Sequence, residues 1–280
     1  MLIFKRIYIV YKNIAIQLKM KIDFYLLRKD IVFSNSIKPF QNAKTIIIVP
    51  HADDEWVGCS QLIVTNRKHI ILCYMNMLGD DSDEVHSIRY GELKSVANAY
   101  GLHLVTTGVE KEEKIQNLTA LLIEERPEYI AVPFYYDWHS EHIEVMQILK
   151  ASLNKIFKAQ PELVGKFSVL MYQVSVPIPI EKVTHFIAMD KEAQKRKWSF
   201  FDSVYRTQEA IPWIRFRYNE RINGGLCGNY AAEVYVLEKA EKWTNSLDKE
   251  ILSEAKRERV FDSLQDLKKV REVLPEMEWR

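Results

Sequence analysis

The chain has 280 residues, of which 48% are apolar and 28% are charged, so it can bury the core of one large domain or two small ones. Its formal net charge of +1 does not indicate a general nucleic-acid binder, and we expect no nucleic-acid partner. The three cysteines are scattered and form no Cys-x-x-Cys pair, which argues against a cysteine zinc site or a disulfide framework and favours a cytoplasmic protein with reduced thiols.

Residues 1–43 are predicted to form an N-terminal extension that packs on or near the main domain. The longest unbroken apolar run there, residues 7–11, is too short for a membrane span or a signal-peptide core. A helix in this region would carry an apolar stripe with Ile3, Ile7, Val10 and Ile14, and a basic stripe with Lys5, Lys12 and Lys19. The pattern suits a helix in weak peripheral contact with an anionic membrane surface, or an amphipathic helix, or a helix and a strand, docked on the domain. Docking is the commoner arrangement in soluble proteins, and we favour it.

From residue 44 onwards, short apolar runs alternate with longer amphipathic segments. The runs predict strands over 45–50, 69–76, 103–107 and 129–134, and the segments predict helices over 56–67, 83–100, 111–126 and 141–158. This alternation is typical of βαβ units. We therefore predict a single Rossmann-like α/β domain over residues 44–280, with a mainly parallel sheet and helices on both faces.

Beyond residue 161 the order of elements is less regular. We predict strands over 167–176, 185–189 and 230–237, a helix over 191–205 and a long charged helix over 245–273. Residues 212–228 are predicted to form an irregular loop rich in arginine, aromatic residues and glycine. This loop has two open interpretations: a packed connection, or a lid whose Trp213, Arg215 and Arg217 contact a sugar or a phosphorylated carrier.

A polar cluster follows the first strand of the domain. The apolar run 45–49 leads into the sequence His51-Ala52-Asp53-Asp54-Glu55, which supplies one imidazole and three carboxylates. The ends of strands are where α/β proteins place their chemistry. Taken alone, an acidic run of this kind is more often a solvated loop or the N-terminus of a helix.

A second polar cluster follows the strand predicted over 129–134 and contains Asp137, His139, Glu141 and His142. Right-handed crossovers in a parallel sheet place both strand ends at one edge, so the two clusters can meet. Two imidazoles and one carboxylate form a zinc site that keeps a position open for water. A spare carboxylate and a spare imidazole can then exchange protons with that water and with a leaving amine, a combination suited to hydrolysis of an amide.

Both motifs resemble those of the LmbE-like zinc deacetylases. This family includes the PIG-L-type N-acetylglucosaminyl-phosphatidylinositol de-N-acetylases and the deacetylases of mycothiol and bacillithiol synthesis. The similarity extends over residues 44–237. The family motif His-Pro/Ala-Asp-Asp-Glu corresponds to residues 51–55, and the family motif His-x-x-His corresponds to residues 139–142. Weaker similarities are found at Arg89 and Glu92, at 205–208 and at 232–235.

The resemblance implies a role for each residue of the two motifs. His51, Asp54 and His142 would ligate one zinc ion, or another divalent metal, per chain. Asp53 would be the general base that takes a proton from the attacking water, although spacing alone does not separate its role from that of Asp54. His139 would stabilise the oxyanion or protonate the departing amine.

Residues around the motifs complete the implied site. Asp137 and Glu141 would hold the imidazoles in orientation, and Arg89 would hold hydroxyl or phosphate oxygens of the substrate. The chain departs from the family pattern at residues 59–61, where a Gly-Gly pair is usual, and at Ser140 and Glu141, where Pro-Asp is usual. These substitutions leave both imidazoles in place.

The implied activity is removal of an acetyl group from an N-acetylated amino sugar, either free or attached to a nucleotide or a lipid. Two alternatives stay open. One is hydrolysis of a different N-acyl metabolite, and the other is a non-catalytic metal-binding protein that retains the fold.

Overall fold

An eight-stranded sheet forms the centre of the computed structural model, which describes residues 2–29, 37–77, 82–208 and 213–274. Its strands are β1 (Lys38–Pro39), β2 (Thr45–Val49), β3 (Ile70–Tyr74), β4 (His103–Thr106), β5 (Tyr129–Pro133), β6 (Ser168–Tyr172), β7 (His185–Met189) and β8 (Ala231–Lys239). The strand order is β1-β7-β8-β6-β5-β2-β3-β4. Neighbouring strands pair in parallel except at β8, which is antiparallel to both β6 and β7.

Helices lie on both faces of this sheet. In the described ranges they are α1 (Leu2–Lys29), α2 (Asp54–Asn66), α3 (Asp83–Tyr100), α4 (Lys111–Glu125), α5 (Ser140–Ala159), α6 (Lys191–Val204), α7 (Trp213–Leu226), α8 (Ala240–Glu250), α9 (Glu254–Ser263) and α10 (Lys269–Val273). The predicted single α/β domain, with a mainly parallel sheet and helices on both faces, is confirmed.

The central strand β2 is covered on both faces of the sheet, which explains its apolar sequence. Ile46 and Ile48 belong to the core cluster shared with α4, α5 and α8, whereas Ile47 and Val49 belong to the cluster shared with α2, α3 and α6. Successive side chains of a strand point to opposite faces, so a strand covered on both faces must be apolar at every position.

The strand order reverses next to β2. From β2 the chain continues outward to β3 and β4, and then it crosses back to place β5 on the other side of β2. In open α/β sheets such a reversal leaves a crevice at the carboxyl ends of the two strands. Both polar clusters of the sequence follow these two strands and therefore lie at this crevice.

The N-terminal helix α1 packs along α7. Met20, Phe24 and Leu27 are buried against Ile222 of α7 and against Leu267. The two-residue strand β1 then joins the edge of the sheet beside β7. Among the described residues, none of the helices has the length and apolar character that a membrane-spanning segment requires.

The prediction of an irregular loop over residues 212–228 is wrong, because α7 (Trp213–Leu226) occupies most of this range. Its sequence lacks a clean apolar stripe and contains two adjacent glycines, so local propensity does not favour a helix. Contacts with α1 and β8 stabilise it instead. Polar Asn219, Glu220 and Asn223 are buried in these contacts, and their burial hides the helical period from a sequence-based analysis.

The prediction of a single long helix over residues 245–273 is also wrong, because the chain forms three shorter helices in this region, α8, α9 and α10. Ile251 has a ψ angle of 129° and ends α8, and Leu252 is buried in the core. Ser253 is extended and serves as the N-cap of α9. The charged amphipathic pattern continues across this break, so periodicity alone does not reveal it.

Gly58 in α2 provides a test of the packing against β6. A Cβ atom at this position would lie 2.3 Å from Cδ2 of Tyr172 and 2.8 Å from the carbonyl oxygen of Gln173. We expect Gly58→Ala to lower the free energy of unfolding by about 1–3 kcal/mol, because the helix must move away from the strand. In the control Gly91→Ala, no described atom lies within 4 Å of the new Cβ, and the better helix former should raise stability. Chemical denaturation checks both variants, and wild-type stability of Gly58→Ala would contradict a close contact between α2 and β6 at this position.

Candidate active site

The candidate active site lies at the carboxyl edge of the sheet, between the ends of β2 and β5. His51 follows β2 by two residues, and Asp54 is the first residue of α2. Asp137 lies in the loop after β5, and His142 lies in the first turn of α5. The structure therefore brings together the two polar clusters that are 91 residues apart in the sequence, measured from His51 to His142.

Three potential ligand atoms converge at this point. Oδ2 of Asp54 lies 3.2 Å from Nδ1 of His51 and 3.1 Å from Nε2 of His142, and the two nitrogens lie 3.2 Å apart. Tetrahedral zinc with bonds of about 2.0–2.1 Å places neighbouring ligand atoms about 3.3 Å apart. The observed spacing matches this value, so the three residues fit a divalent cation of that size.

Each of the two imidazoles is oriented by a partner at its far nitrogen. Nδ1 of His142 lies 2.9 Å from Oδ2 of Asp137. Nε2 of His51 lies 2.8 Å from Oε2 of Glu141 and 3.0 Å from the carbonyl oxygen of Met77. Because these partners are acceptors, a neutral imidazole keeps its proton on the nitrogen that faces them: Nδ1 in His142 and Nε2 in His51. The second nitrogen of each ring then directs its lone pair toward the point where the two rings and Asp54 meet. This is the arrangement that metal-binding histidines require.

His139 lies beside these two rings. Its ring centroid is 4.7 Å from that of His51 and 5.0 Å from that of His142, and all three imidazoles offer nitrogens within 4.8 Å of one another. Its backbone amide donates to Oδ1 of Asp137 at 3.1 Å, and Oε2 of Glu141 lies 3.1 Å from its Nδ1. The third imidazole can thus contact a molecule bound next to the ligand atoms.

Charge interactions favour ionised Asp54 between protonated imidazoles when no cation is bound. Burial opposes ionisation of Asp54, but His142 and His51 hold the pKa of this carboxyl well below its usual range. Burial likewise opposes protonation of His51, yet hydrogen bonds with Asp54 and Glu141 raise its pKa to about 9. The pKa of His142 is raised despite burial, because Asp54 and Asp137 attract its positive form. A divalent cation would replace these protons on binding.

Asp53 combines a strained backbone with a buried side chain. This side chain and that of Asp54 line one cavity at the candidate active site. The φ angle of Asp53, 134°, is in the region that favours glycine, although the residue directly precedes α2 and occupies its N-cap position. Burial, together with the adjacent Asp54, raises the pKa of Asp53 well above its ordinary value. A carboxylate with increased proton affinity is suited to take a proton from a water molecule.

Glu55 supports Asp53, a function that sequence reasoning did not assign. Its carboxylate accepts a hydrogen bond from the backbone amide of Asp53 at 3.1 Å and another from the hydroxyl of Tyr205. Burial raises the pKa of Glu55 to about 7. Tyr205 lies 150 residues further along the chain, and its only signal in the sequence is the weak family similarity over 205–208.

A buried ion cluster anchors the kinked first half of α2. The helix leaves helical geometry at Cys59, where φ is −133° and ψ is 16°. Nζ of Lys197 donates to the carbonyl oxygen of Val57 at 2.6 Å and lies 2.7 Å from the carboxylates of Glu220 and Glu233. Burial opposes the positive charge of Lys197, but the two carboxylates raise its pKa. The cluster thus fixes the turn of α2 that follows the first polar motif.

A cavity of about 480 Å³ is lined by six residues of the two polar clusters: His51, Asp53, Asp54, His139, Glu141 and His142. Arg89 and Arg215, which were predicted to bind substrate, lie on its wall. Arg217 is not among the described residues that line it, and the side chain of Trp213 lies outside the described part of the chain. Gln208, which also lines the cavity, lies within the weak family similarity over 205–208. The other lining residues come from separate segments and had no recognisable signal; they include Trp138, Val174, Ser175, Phe216, Phe261, Leu264 and Gln265.

Arg215 is a buried cation on this wall. Its side chain donates from Nη1 to the carbonyl oxygen of Leu264 at 3.1 Å and lies 4.8 Å from the ring centroid of Phe216. Burial lowers the pKa of Arg215 to about 10, so the guanidinium stays charged at neutral pH. Asp137 attracts its positive charge, and Nε of Arg215 has no hydrogen-bond partner among the described residues. Arg89, on α3, donates from Nη1 to the carbonyl oxygen of Ala52 at 3.3 Å.

Comparisons with known proteins identify the fold. No protein-family model and no curated protein matches the chain. The N,N'-diacetylchitobiose deacetylase from Pyrococcus horikoshii matches with a TM-score of 0.57 and 19% identity, over 73% of this chain and 87% of that one. A conserved protein from Thermus thermophilus gives 0.54 and 17%, over 69% and 94%. The A40926 pseudoaglycone deacetylase Dbv21 gives 0.51 and 12%, over 71% and 99%. The chain therefore shares the fold of these proteins.

Asp137 provides a test of the ligand geometry. We expect Asp137→Asn to weaken zinc affinity by about 10–100-fold, because one amide oxygen cannot accept from both the His142 ring and the backbone amide of His139. Competition with a chromogenic chelator measures the affinity. The control Asp248→Asn removes an exposed carboxylate that pairs with Lys150 on the surface and should bind zinc as the wild type does. Equal affinity of Asp137→Asn and wild type would contradict the proposed orientation of His142.

Proposed function

We propose that the protein is a metal-dependent amide hydrolase of the LmbE-like type, which removes the acetyl group from an N-acetylated amino sugar. The observation that carries the proposal is the convergence of the Asp54, His51 and His142 ligand atoms beside the buried carboxyl of Asp53, all in one cavity. Two proteins that share the fold are named as deacetylases, and one of them acts on N,N'-diacetylchitobiose. Their names support the same reaction class for this chain.

We propose that His51, Asp54 and His142 hold one zinc ion per chain. Two imidazole nitrogens and one carboxylate oxygen form a ligand set that suits zinc, with other divalent transition metals as competitors. When bound, such an ion supplies Lewis-acid polarisation of the substrate carbonyl and lowers the pKa of water. The free thiols of Cys59, Cys73 and Cys227 suit the reducing cytoplasm in which we place the enzyme.

The remaining polar residues divide the proton transfers. Asp53 takes a proton from the water that attacks the acetamide carbon. His139 donates a hydrogen bond to the carbonyl oxygen as it becomes negative, or passes a proton to the nitrogen as the carbon–nitrogen bond breaks. The products are acetate and the free amine. Asp137 and Glu141 keep the imidazoles in orientation throughout.

The cavity walls suit a sugar with polar and apolar faces. Arg89 and Arg215 can donate to hydroxyl groups or to an anionic substituent, while the aromatic rings of Trp138, Phe216 and Phe261 can pack against the carbon skeleton. Since the cavity of about 480 Å³ exceeds the volume of an acetamide group, a ring and part of a carrier can enter with it.

Acetate release from defined compounds tests the activity. The zinc-loaded protein is incubated with free N-acetylhexosamines, nucleotide-linked N-acetylhexosamines and lipid-linked ones, and acetate is measured enzymatically. We expect release from at least one class. If none releases acetate while zinc is bound stoichiometrically, the sugar proposal fails, and hydrolysis of another N-acyl metabolite or a non-catalytic role takes its place.

Asp53 and the ligand residues should separate catalysis from metal binding. We expect Asp53→Asn to reduce turnover by at least ~100-fold, the usual scale of a general base, while zinc content stays near one per chain. His51→Ala and His142→Ala should instead lose the metal. Metal analysis of the purified variants, alongside acetate release, distinguishes the two effects. Full activity of Asp53→Asn would eliminate it as the base.

A further inference from the structure

Helix α1 has two apolar faces, and only one of them is covered by the described part of the protein. Met20, Phe24 and Leu27 pack on the domain. Five further large side chains are each more than half exposed: Ile14 59%, Leu18 59%, Ile22 53%, Tyr25 56% and Leu26 54%.

The exposed side chains form one continuous face. At about 100° per residue, Ile14, Leu18, Ile22, Tyr25 and Leu26 fall within an arc of about 120°. The centre of this arc is roughly opposite the centre of the buried arc on the same helix. Contiguous apolar surface of this kind marks an interaction site, unlike single exposed apolar residues, which are common.

The charge of α1 indicates the partner. Residues 2–29 contain seven Lys and Arg residues and a single acidic residue, Asp23, which gives the helix a formal charge of +6. Because the whole chain carries +1, the remainder carries −5. Asp23 is buried and bonded to Lys19, which also pairs with Asp266 of the domain. Negative charge is thus confined to the domain side of the helix.

We infer that the exposed face of α1, residues 14–26, docks on an anionic lipid surface as an interfacial helix. An apolar face bordered by basic residues binds such a surface both by burial of the side chains at the acyl boundary and by attraction to acidic headgroups. A nucleic acid would satisfy the basic residues but leave Ile14, Leu18 and Ile22 in water. A second copy would cover the apolar face but bring two helices of charge +6 together.

Docking in this way places the domain directly at the membrane surface. α1 packs on α7, and α7 carries Arg215 and Phe216 on the wall of the candidate active site. The docking itself does not depend on the proposed hydrolase activity, so it can be tested without a substrate.

Vesicle co-sedimentation of the full chain tests the inference. We expect the protein to pellet with phosphatidylcholine vesicles that contain about a third phosphatidylserine, less so at high salt, and hardly with pure phosphatidylcholine. Leu18→Ser with Ile22→Ser should reduce the partition coefficient by at least ~10-fold, since two apolar side chains leave the lipid boundary. The matched control, Val109→Ser with Val164→Ser, removes two exposed apolar side chains outside α1 and should bind as the wild type does.

The variant Lys21→Glu and the oligomeric state measured by light scattering complete the test. Lys21→Glu, at an exposed position of α1, should weaken binding to the anionic vesicles without lowering the melting temperature. The docking is overturned if the wild type and the Leu18→Ser/Ile22→Ser variant pellet equally. It is also overturned if light scattering finds a dimer that this variant dissolves while anionic vesicles bind neither protein, because the face would then belong to a second copy.

Discussion

The site depends on one constraint: several carboxylates and imidazoles share a buried volume with little water to solvate their charges. Asp53, Asp54 and Asp137 are all buried, and so is His142. Carboxylates in such surroundings are costly unless a positive charge compensates them. The raised pKa values of His51 and His142 favour protons on these imidazoles, and a divalent cation at the three converging ligand atoms would supply the same two positive charges. The three ligand atoms therefore form a position that a divalent cation could occupy in place of two protons.

The strand order and the connections after β2 and β5 position these carboxylates and imidazoles. The reversal of strand order at β2 and β5 brings both motifs to the same crevice, and the short connections after each strand leave little freedom to the motif residues. The strained backbone of Asp53 is maintained by Glu55 and Tyr205 on one side and by the start of α2 on the other. Lys197 anchors the next turn of the helix. The buried polar contacts of Glu55, Tyr205 and Lys197 thus hold Asp53 and the start of α2 in position.

The central sheet and the motif positions could be predicted from the sequence because they depend on local patterns. Apolar runs such as 45–49 identify buried strands, and the polar residues directly after them identify the functional edge. Other features depend on contacts between distant segments and leave no local pattern. α7 is helical because of its neighbours, and the buried pairing of Glu55 with Tyr205 joins residues 150 positions apart. The cavity wall formed by Phe261 is hidden in the sequence for the same reason.

X-ray absorption spectroscopy of the zinc-loaded protein tests the central claim most directly, because it reports the ligand set without reference to any substrate. We expect a first shell of nitrogen and oxygen atoms at about 2.0–2.1 Å with the outer-shell scattering of two imidazoles. A sulfur shell at about 2.3 Å, or a zinc environment without imidazole scattering, would contradict the account.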